Sequence, residues 1–530
     1  MIQFFQIKHH KYDKLTKNIK TKLYKLSMPN QRVGGKKTRV ISIGAGIGGL
    51  TAGALLAHRG YDVLMLDQAI VPGGCASSFK RQGFTFDVGA TQVAGLEPGG
   101  IHHRIFTELG IDLPPATPCD PSCTVYLPGE TQPINVWRKP EKWQQERQKQ
   151  FPGSEPFWQL LSNLFKASWE FQQLDPVLIP RSLWDLLQLT KAIRPSTLIT
   201  IPYTLSTVGD ALRLYGLGND KRLRTFLDLQ LKLYSQVNAE ETALLYAATA
   251  LSISQEPQGL YHLHGSMQTL SDRLVSSFER DSGKLLMRHT VKSIQVERGK
   301  AKGVVICNQR TGKVWTEAAD YIVANVTVQN LVKLMGKQTP SGYRQRVMKL
   351  HPPSGAFVVY LGVEEMAIPP KCPLHLQFMY DEDSQTREDN SLFVSVSHPG
   401  DGRAPKGKAT IVASCFVDTE LWNNSLSYTD LKSKYTDKTI THLSKLFKLT
   451  PETVVYQEAA TPLTFARFTG RDKGFVGGIG QRLSTFGPFG FANRTPIKNL
   501  LLVGDSTHPG EGTAGVSYSA ITAVKQIEHE

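Results

Sequence analysis

A glycine-rich turn between a short strand and a helix constrains the fold of this chain more than any other feature. Residues 39–43 read as a buried strand, and Gly44, Ala45, Gly46 and Gly49 follow in a G-x-G-x-x-G pattern before a helix of small residues. Glycines at this spacing permit a tight turn, and they let a pyrophosphate approach the backbone amides at the helix N-terminus. The pattern predicts a βαβ unit that binds a dinucleotide.

An acidic residue ends the second strand of this unit. Residues 62–67 form an apolar run that closes on Asp67, eighteen residues after Gly49. An acid in this place can bind the ribose hydroxyls of adenosine. Because strand, turn, helix and acid coincide, a turn that only packs helix on strand is the less favoured interpretation. FAD and NAD both use such a unit, so the unit alone leaves the cofactor open.

Two further glycine segments favour FAD. Gly73 and Gly74 follow the acid closely and offer a second stretch of close backbone approach, which suits a long diphosphate cofactor. Near the C-terminus, a buried strand over residues 500–503 precedes Gly504, Asp505 and a glycine-rich loop. An acid there can accept a ribityl hydroxyl, and the N-terminus of the next helix can stabilise negative charge on a reduced flavin. No second G-x-G-x-x-G stands between a strand and a helix, so a separate NAD(P)H domain is not expected.

The nucleotide-binding signals lie at the start of the chain, past its middle, where residues 321–324 read as a buried strand, and at its end. This distribution predicts an α/β fold in which one Rossmann-like domain is interrupted by an inserted α+β substrate domain. The predicted FAD-binding domain comprises residues 38–115, 260–345 and 480–530, and the substrate domain comprises residues 116–259 and 346–479.

The first insertion is rich in aromatic residues. Five of the seven tryptophans fall in a window of 48 residues, namely Trp137, Trp143, Trp158, Trp169 and Trp184. This concentration suits an apolar tunnel or a membrane-facing surface, and an ordinary helical core is an equal alternative. The second insertion contains strand-like runs at 356–361 and 410–417, which are compatible with a sheet that floors a ligand cavity.

The net charge of +15 is concentrated at the N-terminus. Residues 1–39 hold eleven Lys or Arg and one Asp, so the other residues together carry only +5. No recognition module spreads basic residues and aromatics over a face, which argues against nucleic-acid binding. Six cysteines in a long chain without a secretory signal indicate a reducing compartment. Cys119 and Cys123 lack a second ligand pair at zinc spacing, so no metal is expected.

Residues 1–37 form a basic extension that is predicted to be disordered. Within residues 1–27, aliphatic residues recur at helical spacing among lysines, a pattern that can lie on an anionic membrane surface. The alternative is that translation begins at Met28 and that the tail is not made. No apolar run is long enough to span a membrane, so we expect a cytoplasmic protein with peripheral membrane contact.

Together with the residues above, Phe86-Asp-Val-Gly89 and the block 504–519 resemble the carotenoid desaturase and isomerase family of the FAD-dependent amine-oxidase-like superfamily. The resemblance covers nearly all of residues 38–527 and implies a GR2-type FAD-binding domain. It places Val291 with its backbone at the adenine and Gly515 and Val516 near the flavin. The other cofactor-binding residues are Gly44, Ala45, Gly46, Gly49, Asp67, Gly73, Gly74, Gly504 and Asp505.

Two departures from the superfamily pattern bear on the substrate. Asp67 replaces the commoner Glu, which shortens the side chain by one methylene and keeps its charge. Cys75 stands where amine oxidases carry an Arg after the glycine pair, and this disfavours an amine substrate.

Residues 508–516 and 91–100 are most similar to the cyanobacterial C-3′,4′ carotenoid desaturases of myxoxanthophyll synthesis. Prolycopene isomerases typically carry Phe-Pro-Gly-Gln-Gly where this chain has His508-Pro-Gly-Glu511-Gly. The resemblance therefore implies that a C=C bond is introduced into a C40 carotenoid, with cis-trans isomerisation of prolycopene as the alternative.

The implied desaturation moves a hydride to flavin N5 and removes a proton from the neighbouring carbon. His508 and Glu511 are the candidates for proton removal, and hydrogen bonding within the loop is the alternative role for both. Oxygen and a quinone are both possible electron acceptors. A flavin amine oxidase and a Rab-escort-like prenyl-binding protein are alternatives of another class, and the complete set of FAD residues argues against the second.

Overall fold

The computed structural model describes residues 32–33, 36–380, 390–423 and 427–530. The predicted membrane-binding pattern in residues 1–27 and the alternative start at Met28 lie outside the described residues. The disorder predicted for residues 1–37 also falls almost entirely outside them, apart from two short paired strands, Arg32–Val33 and Lys36–Lys37.

Strand-rich and helix-rich stretches follow one another along the described residues. The strands are β1 Arg32–Val33, β2 Lys36–Lys37, β3 Arg39–Ile43, β4 Asp62–Asp67, β5 Ser78–Arg81, β6 Phe84–Asp87, β7 Val93–Ala94, β8 Ala116–Pro118, β9 Cys123–Tyr126, β10 Ile134–Val136, β11 Leu260–Leu263, β12 Lys284–Met287, β13 His289–Glu297, β14 Lys300–Asn308, β15 Val314–Ala318, β16 Tyr321–Ala324, β17 Gly355–Glu364, β18 His375–Met379, β19 Ser391–Val396, β20 Lys408–Val417, β21 Val454–Ala460 and β22 Leu500–Leu502. The helices are α1 Ile47–His58, α2 Ile101–Leu109, α3 Pro140–Gln150, α4 Glu155–Gln172, α5 Leu183–Ala192, α6 Pro195–Leu198, α7 Val208–Leu214, α8 Lys221–Ser235, α9 Leu244–Ser252, α10 Gln268–Arg280, α11 Val328–Met335, α12 Ser341–Met348, α13 Thr419–Asn423, α14 Tyr428–Leu443, α15 Pro462–Thr469 and α16 Thr513–Glu528.

A parallel sheet of five strands, in the order β12-β4-β3-β16-β22, organises the cofactor end of the molecule. Its central strands are apolar on both faces because helices cover one side and the β13-β14-β15 meander covers the other. All of its strands point the same way, so their carboxyl ends share one edge. The predicted strands at 39–43, 62–67 and 321–324 match the observed strands.

Helix α1 lies unusually close to this sheet. A Cβ at Gly53 would lie 2.3 Å from Cε of Met65 on β4, so a larger residue there would require the Met65 side chain to move. On its other side, Thr51 and Ser517 of α16 approach to 3.3 Å between their hydroxyl oxygens. The small residues of α1 therefore join the first and last segments of the fold in one core.

The two insertions share one mixed sheet of seven strands, in the order β10-β9-β18-β19-β20-β17-β21. Strands β9 and β10 come from the first insertion and the other five from the second. A smaller sheet of β7, β11 and β8 joins the two parts of the molecule. The numerical domain boundaries drawn from the sequence stay a prediction.

The tryptophans of the first insertion are buried or half-buried. Trp143 and Trp158 are buried against Phe157 and Phe226 in a helical core. Trp169 lines a large cavity, and none of the five tryptophans in the window is exposed. The core and tunnel interpretations therefore account for these side chains better than a membrane-facing one. Among the helices of the described ranges, none is long and apolar enough to cross a membrane.

Candidate cofactor and substrate site

The first glycine turn leaves the end of β3 open to a ligand. Gly44 has φ of +95°, and a Cβ there would lie 2.5 Å from the carbonyl oxygen of Asn325. A Cβ at Gly49 would lie 2.0 Å from the Gly44 oxygen. Gly46 caps the N-terminus of α1 with no side-chain cap and no acidic residue in the first turn. The free backbone amides of α1 therefore face the cavity as an anion-binding site.

Asn325 is a residue of this turn that the sequence reasoning missed. It follows β16, and its backbone N–H donates to the Ile43 oxygen at 2.8 Å. Its side chain lies between the two glycine turns, because a Cβ at Gly46 would be 2.8 Å from its amide nitrogen and one at Gly504 3.0 Å from its amide oxygen. The available signal was its position directly after the third parallel strand, at the same sheet edge.

Asp67 lies at the carboxyl end of β4, as predicted, and lines the cavity. Its carboxylate accepts hydrogen bonds from the backbone N–H of Ala45 at 2.6 Å and of Ala69 at 2.7 Å. Burial raises the pKa of this carboxyl, and the two backbone donors oppose the rise. The two N–H groups fix the carboxylate in orientation while leaving lone pairs for ribose hydroxyls.

Gly73 and Gly74 line the cavity beside the first glycine turn, where the diphosphate of a dinucleotide would lie. The Gly73 N–H donates to the Ala45 oxygen at 2.7 Å, which fastens this segment to the first turn. Both glycines have positive φ, +112° and +59°, and both line the cavity. Val291 also lines the cavity, on β13 next to an irregularity in its pairing with β14.

The second glycine turn carries a buried ion pair. Asp505 follows Gly504 and accepts a hydrogen bond from Arg471 at 2.7 Å. Arg471 also donates to the Gly477 oxygen, and the side chains of Arg471 and Asp505 are only 18% and 14% exposed. Burial acts to lower the pKa of Arg471, and the neighbouring Asp505 and Cys75 more than offset that effect, so the pKa is raised.

Arg471 supplies a cation beside Cys75. Arg471 follows the C-terminal end of helix α15, and both Arg471 and Cys75 line the cavity. Burial raises the pKa of the Cys75 thiol, and the positive charge of Arg471 opposes the rise. No sequence motif marked Arg471, because its partner Asp505 lies 34 positions away.

The N-terminus of α16 closes the flavin side of the site. Gly512 caps this helix without a side-chain cap, and Gly515 and Val516 in its first turn line the cavity. A Cβ at Gly515 would lie 2.7 Å from the Gly510 oxygen, so the loop packs tightly on the helix. The uncapped amides lie where a negative charge on a flavin ring would be stabilised.

Glu511 is held in the cavity wall by two donors. Its Oε2 accepts from Gln236 Nε2 at 3.1 Å and from the Gly478 N–H at 3.2 Å, whereas its Oε1 has no partner among the described residues. Burial, followed by the nearby charge of Asp505, raises its pKa to about 8. At pH 7 the Glu511 side chain is therefore mainly protonated.

His508 lies in the same wall and is neutral. The amide nitrogen of Gln172 is 2.8 Å from His508 Nε2, and an amide nitrogen can only donate, so Nε2 accepts. Burial lowers the pKa of His508 to about 3. Its Nδ1, which then carries the proton, has no partner in the described part of the chain.

The candidate residues predicted from the sequence, except Ala45 and Gly49, line one continuous cavity of about 860 Å³. Beyond the glycine turns its wall becomes apolar, with side chains from α4, α8, α9 and the seven-stranded sheet. This apolar end includes Trp169, Phe171, Leu233, Leu245, Phe393, Phe416 and Phe486. The cavity therefore joins a cofactor end built from backbone to a substrate end built from hydrocarbon.

The residues present fit FAD. Two uncapped helix N-termini suit a diphosphate and a flavin edge, Asp67 suits the ribose, and glycines stand where a Cβ would block the path. Four cavity-lining side chains each keep one buried polar atom without a partner among the described residues, namely Gln172, Gln236, His508 and Glu511. No group of three or more metal-ligating residues occurs in the described ranges.

Comparison with known proteins agrees with this geometry. A profile of the family described as flavin containing amine oxidoreductase matches residues 47–527. Prolycopene isomerase 1, chloroplastic, from an Oncidium hybrid cultivar is 28% identical over 502 residues, which cover 92% of this chain and 83% of that protein. The zeta-carotene-forming phytoene desaturase of Myxococcus xanthus is 24% identical over 507 residues, covering 92% and 93% of the two chains.

Among solved structures, cyclohexylamine oxidase from Brevibacterium oxydans IH-35A is similar in fold, with a TM-score of 0.58 and 16% identity. The match covers 93% of this chain and 99% of that one. The predicted fold class and the predicted FAD cofactor are thereby confirmed.

Proposed function

Because this chain belongs to the flavin containing amine oxidoreductase family and is an FAD-dependent oxidoreductase, we propose that it introduces a C=C bond into a C40 carotenoid. The specific reaction proposed is C-3′,4′ desaturation, of the kind used in myxoxanthophyll synthesis. The observation that carries the proposal is the long apolar end of the cavity, which opens directly onto the predicted flavin position.

The electrostatics of the site favour a hydrocarbon over an amine. Glu511 is protonated and His508 is neutral at pH 7, so neither presents a charge to the substrate. Asp505, the nearest carboxylate to Glu511 in the loop, is already paired with Arg471. A polyene makes no hydrogen bonds, and a neutral apolar wall binds it without stranding a buried charge.

Desaturation removes a hydride from one allylic carbon and a proton from its neighbour. When bound, FAD supplies the two-electron acceptor for the hydride, and oxygen or a quinone is the proposed final acceptor. The protein excludes water with the apolar wall and holds the polyene in line with the glycine-rich end.

Glu511 is the proposed proton acceptor. Gln236 and the Gly478 N–H hold one carboxyl oxygen, and the buried Oε1 has no partner among the described residues. The Nε2 of His508 is already occupied by Gln172, so His508 orients its neighbours and does not take up the proton. Since the pKa of Glu511 is about 8, the carboxylate becomes the major form only above that pH.

Cis-trans isomerisation is the second candidate function. It is favoured by the similarity to prolycopene isomerases, which reaches 28% identity. The same apolar cavity suits either reaction, and the two differ in whether hydrogen is lost.

Expression in lycopene-producing and in prolycopene-producing cells tests the proposal. For desaturation we expect a pigment lighter by two hydrogens with red-shifted absorption, and for isomerisation an all-trans pigment of unchanged mass. A Gly46→Val variant, which cannot admit the diphosphate, serves as the inactive control. Unchanged pigments in both cell types would contradict both candidate functions.

A further inference from the structure

An unusual aliphatic surface lies between α5 and the turn after α6. Eleven large hydrophobic side chains in the described ranges are more than half exposed, and six of them fall within residues 183–205. These six define the surface, which we name the 183–205 surface: Leu183, Leu187, Leu198, Ile199, Ile201 and Leu205. A concentration of exposed aliphatic side chains in one segment is typical of surfaces that bind a protein or a membrane.

The same segment is basic. Lys191 and Arg194 are exposed, and residues 186–209 contain no Asp or Glu. A second copy of this surface would bring like charges together in an isologous contact, which disfavours a dimer through it. An anionic lipid surface has the complementary charge, and it also accepts aliphatic side chains.

The surface adjoins the cavity. Thr197, Thr200 and Thr204 line the cavity wall, whereas Leu198, Ile199 and Ile201 of the same two turns point to solvent. One thin layer of backbone therefore separates the cavity from the aliphatic surface. A bilayer that covered the surface would lie next to the cavity wall that these threonines line.

We infer that the 183–205 surface docks on an anionic lipid bilayer and that the polyene passes from the acyl region beside α6 into the cavity. The second half of this inference rests on the proposed function, and the docking itself does not. It assigns membrane contact to exposed aliphatic side chains of this segment, whereas the tryptophans of the first insertion are buried or half-buried.

Vesicle flotation of the full-length, flavin-bound protein tests the docking. The vesicles contain equal parts phosphatidylcholine and phosphatidylglycerol, and pure phosphatidylcholine vesicles provide the comparison. For the triple variant Leu198→Gln, Ile199→Gln, Ile201→Gln we expect the bound fraction to fall about tenfold or more, because the inserted aliphatic surface is lost. For Lys191→Glu, Arg194→Glu we expect weaker binding that no longer depends on phosphatidylglycerol or on salt.

The matched control replaces equally exposed side chains elsewhere, with Val314→Gln, Met348→Gln and Met366→Gln, and should bind as the unmodified protein does. Bound flavin and thermal unfolding confirm that each variant is folded. If the triple variant and the double charge variant of the 183–205 surface float like the unmodified protein, the inference is overturned. Vesicle binding that depends wholly on residues 1–27 would also overturn it. A dimer that the triple variant converts to monomers, with vesicle binding unchanged, would assign the surface to self-association.

Carotenoid conversion separates the docking from the proposed function. In detergent micelles, the triple variant should convert the carotenoid at the same rate as the unmodified protein. Its rate should be lower only when the carotenoid is supplied in vesicles. Absence of conversion by the unmodified protein in both media would reject the proposed function and leave the flotation result standing. Equal slowing of the triple variant in both media would overturn the entry route.

Discussion

The two ends of the cavity are made by different means. At the cofactor end, backbone amides and missing Cβ atoms create the binding surface, as at Gly44, Gly46 and Gly504. At the substrate end, side chains from separate elements converge, as Leu233 from α8, Leu245 from α9 and Phe393 from β19 do. A backbone site depends on few positions that tolerate no larger residue, whereas a side-chain wall spreads its contribution over many replaceable residues. Substitutions should therefore have all-or-none effects at one end and graded effects at the other.

The largest effect is expected at the first glycine turn. In Gly46→Val the added side chain meets the amide of Asn325, 2.8 Å from the Cβ position, and blocks the path of the diphosphate. We expect a purified protein with no bound flavin by visible absorbance. The control is Gly342→Val, where a Cβ would meet nothing within 4 Å. Full flavin content in Gly46→Val would refute the backbone site.

Breaking the buried Arg471–Asp505 pair should come next. Arg471→Met leaves the Asp505 carboxylate without its partner, and we expect a loss of about 3 kcal/mol in the free energy of unfolding together with weaker flavin binding. Denaturant unfolding and flavin titration measure the two effects. In contrast, Arg39→Met removes two ion pairs, with Asp62 and Glu317, whose side chains are 46% and 33% exposed, and the loss should be about 1 kcal/mol or less. Equal losses in both variants would contradict the buried role of Arg471.

A polar substitution in the apolar wall should spare the cofactor. Leu245→Gln keeps the side-chain volume but places an unpaired amide in the wall, so we expect KM for the polyene to rise about tenfold with unchanged flavin content. Leu214→Gln at a side chain that is 70% exposed should change neither quantity. If Leu245→Gln loses its flavin, the two ends are not separable.

The smallest effect is a pH dependence at the border between the two ends. If Glu511 takes up the proton, the rate should rise several-fold as pH increases through about 8, because the carboxylate form increases with pH. Glu511→Gln should lose both the rise and most of the activity at high pH. A rate profile that is flat from pH 7 to pH 9 would assign Glu511 a structural role.

The same pKa has a consequence for stability. The pKa of Glu511 is raised from 4.5 to about 8, so the folded state keeps a proton that the unfolded chain has already lost. Stability therefore falls as pH rises from about 4.5 toward 8, and Glu511→Gln should flatten this part of the profile. Thermal unfolding across that range measures it.

The sequence by itself determined the parallel sheet and the cofactor end. The strands 39–43, 62–67 and 321–324, the glycine turns and Asp67 could be read because each lies within a local run whose backbone requirement only certain residues meet. The aromatic window could not be assigned locally, because burial of Trp143 and Trp158 depends on which helices pack over them.

Only the tertiary structure decided the partners across long separations. Arg471 reaches Asp505, Asn325 fills the space between two glycine turns, and Gln236 holds Glu511 from 275 positions away. The exposure of Leu198 and Ile201 could not be predicted from the sequence either, since an aliphatic run in a sequence is normally buried in the fold. The physical reason is the same in each case. Backbone conformation is imposed by neighbours along the chain, whereas side-chain contact, charge pairing and burial depend on elements that the fold brings together from far apart.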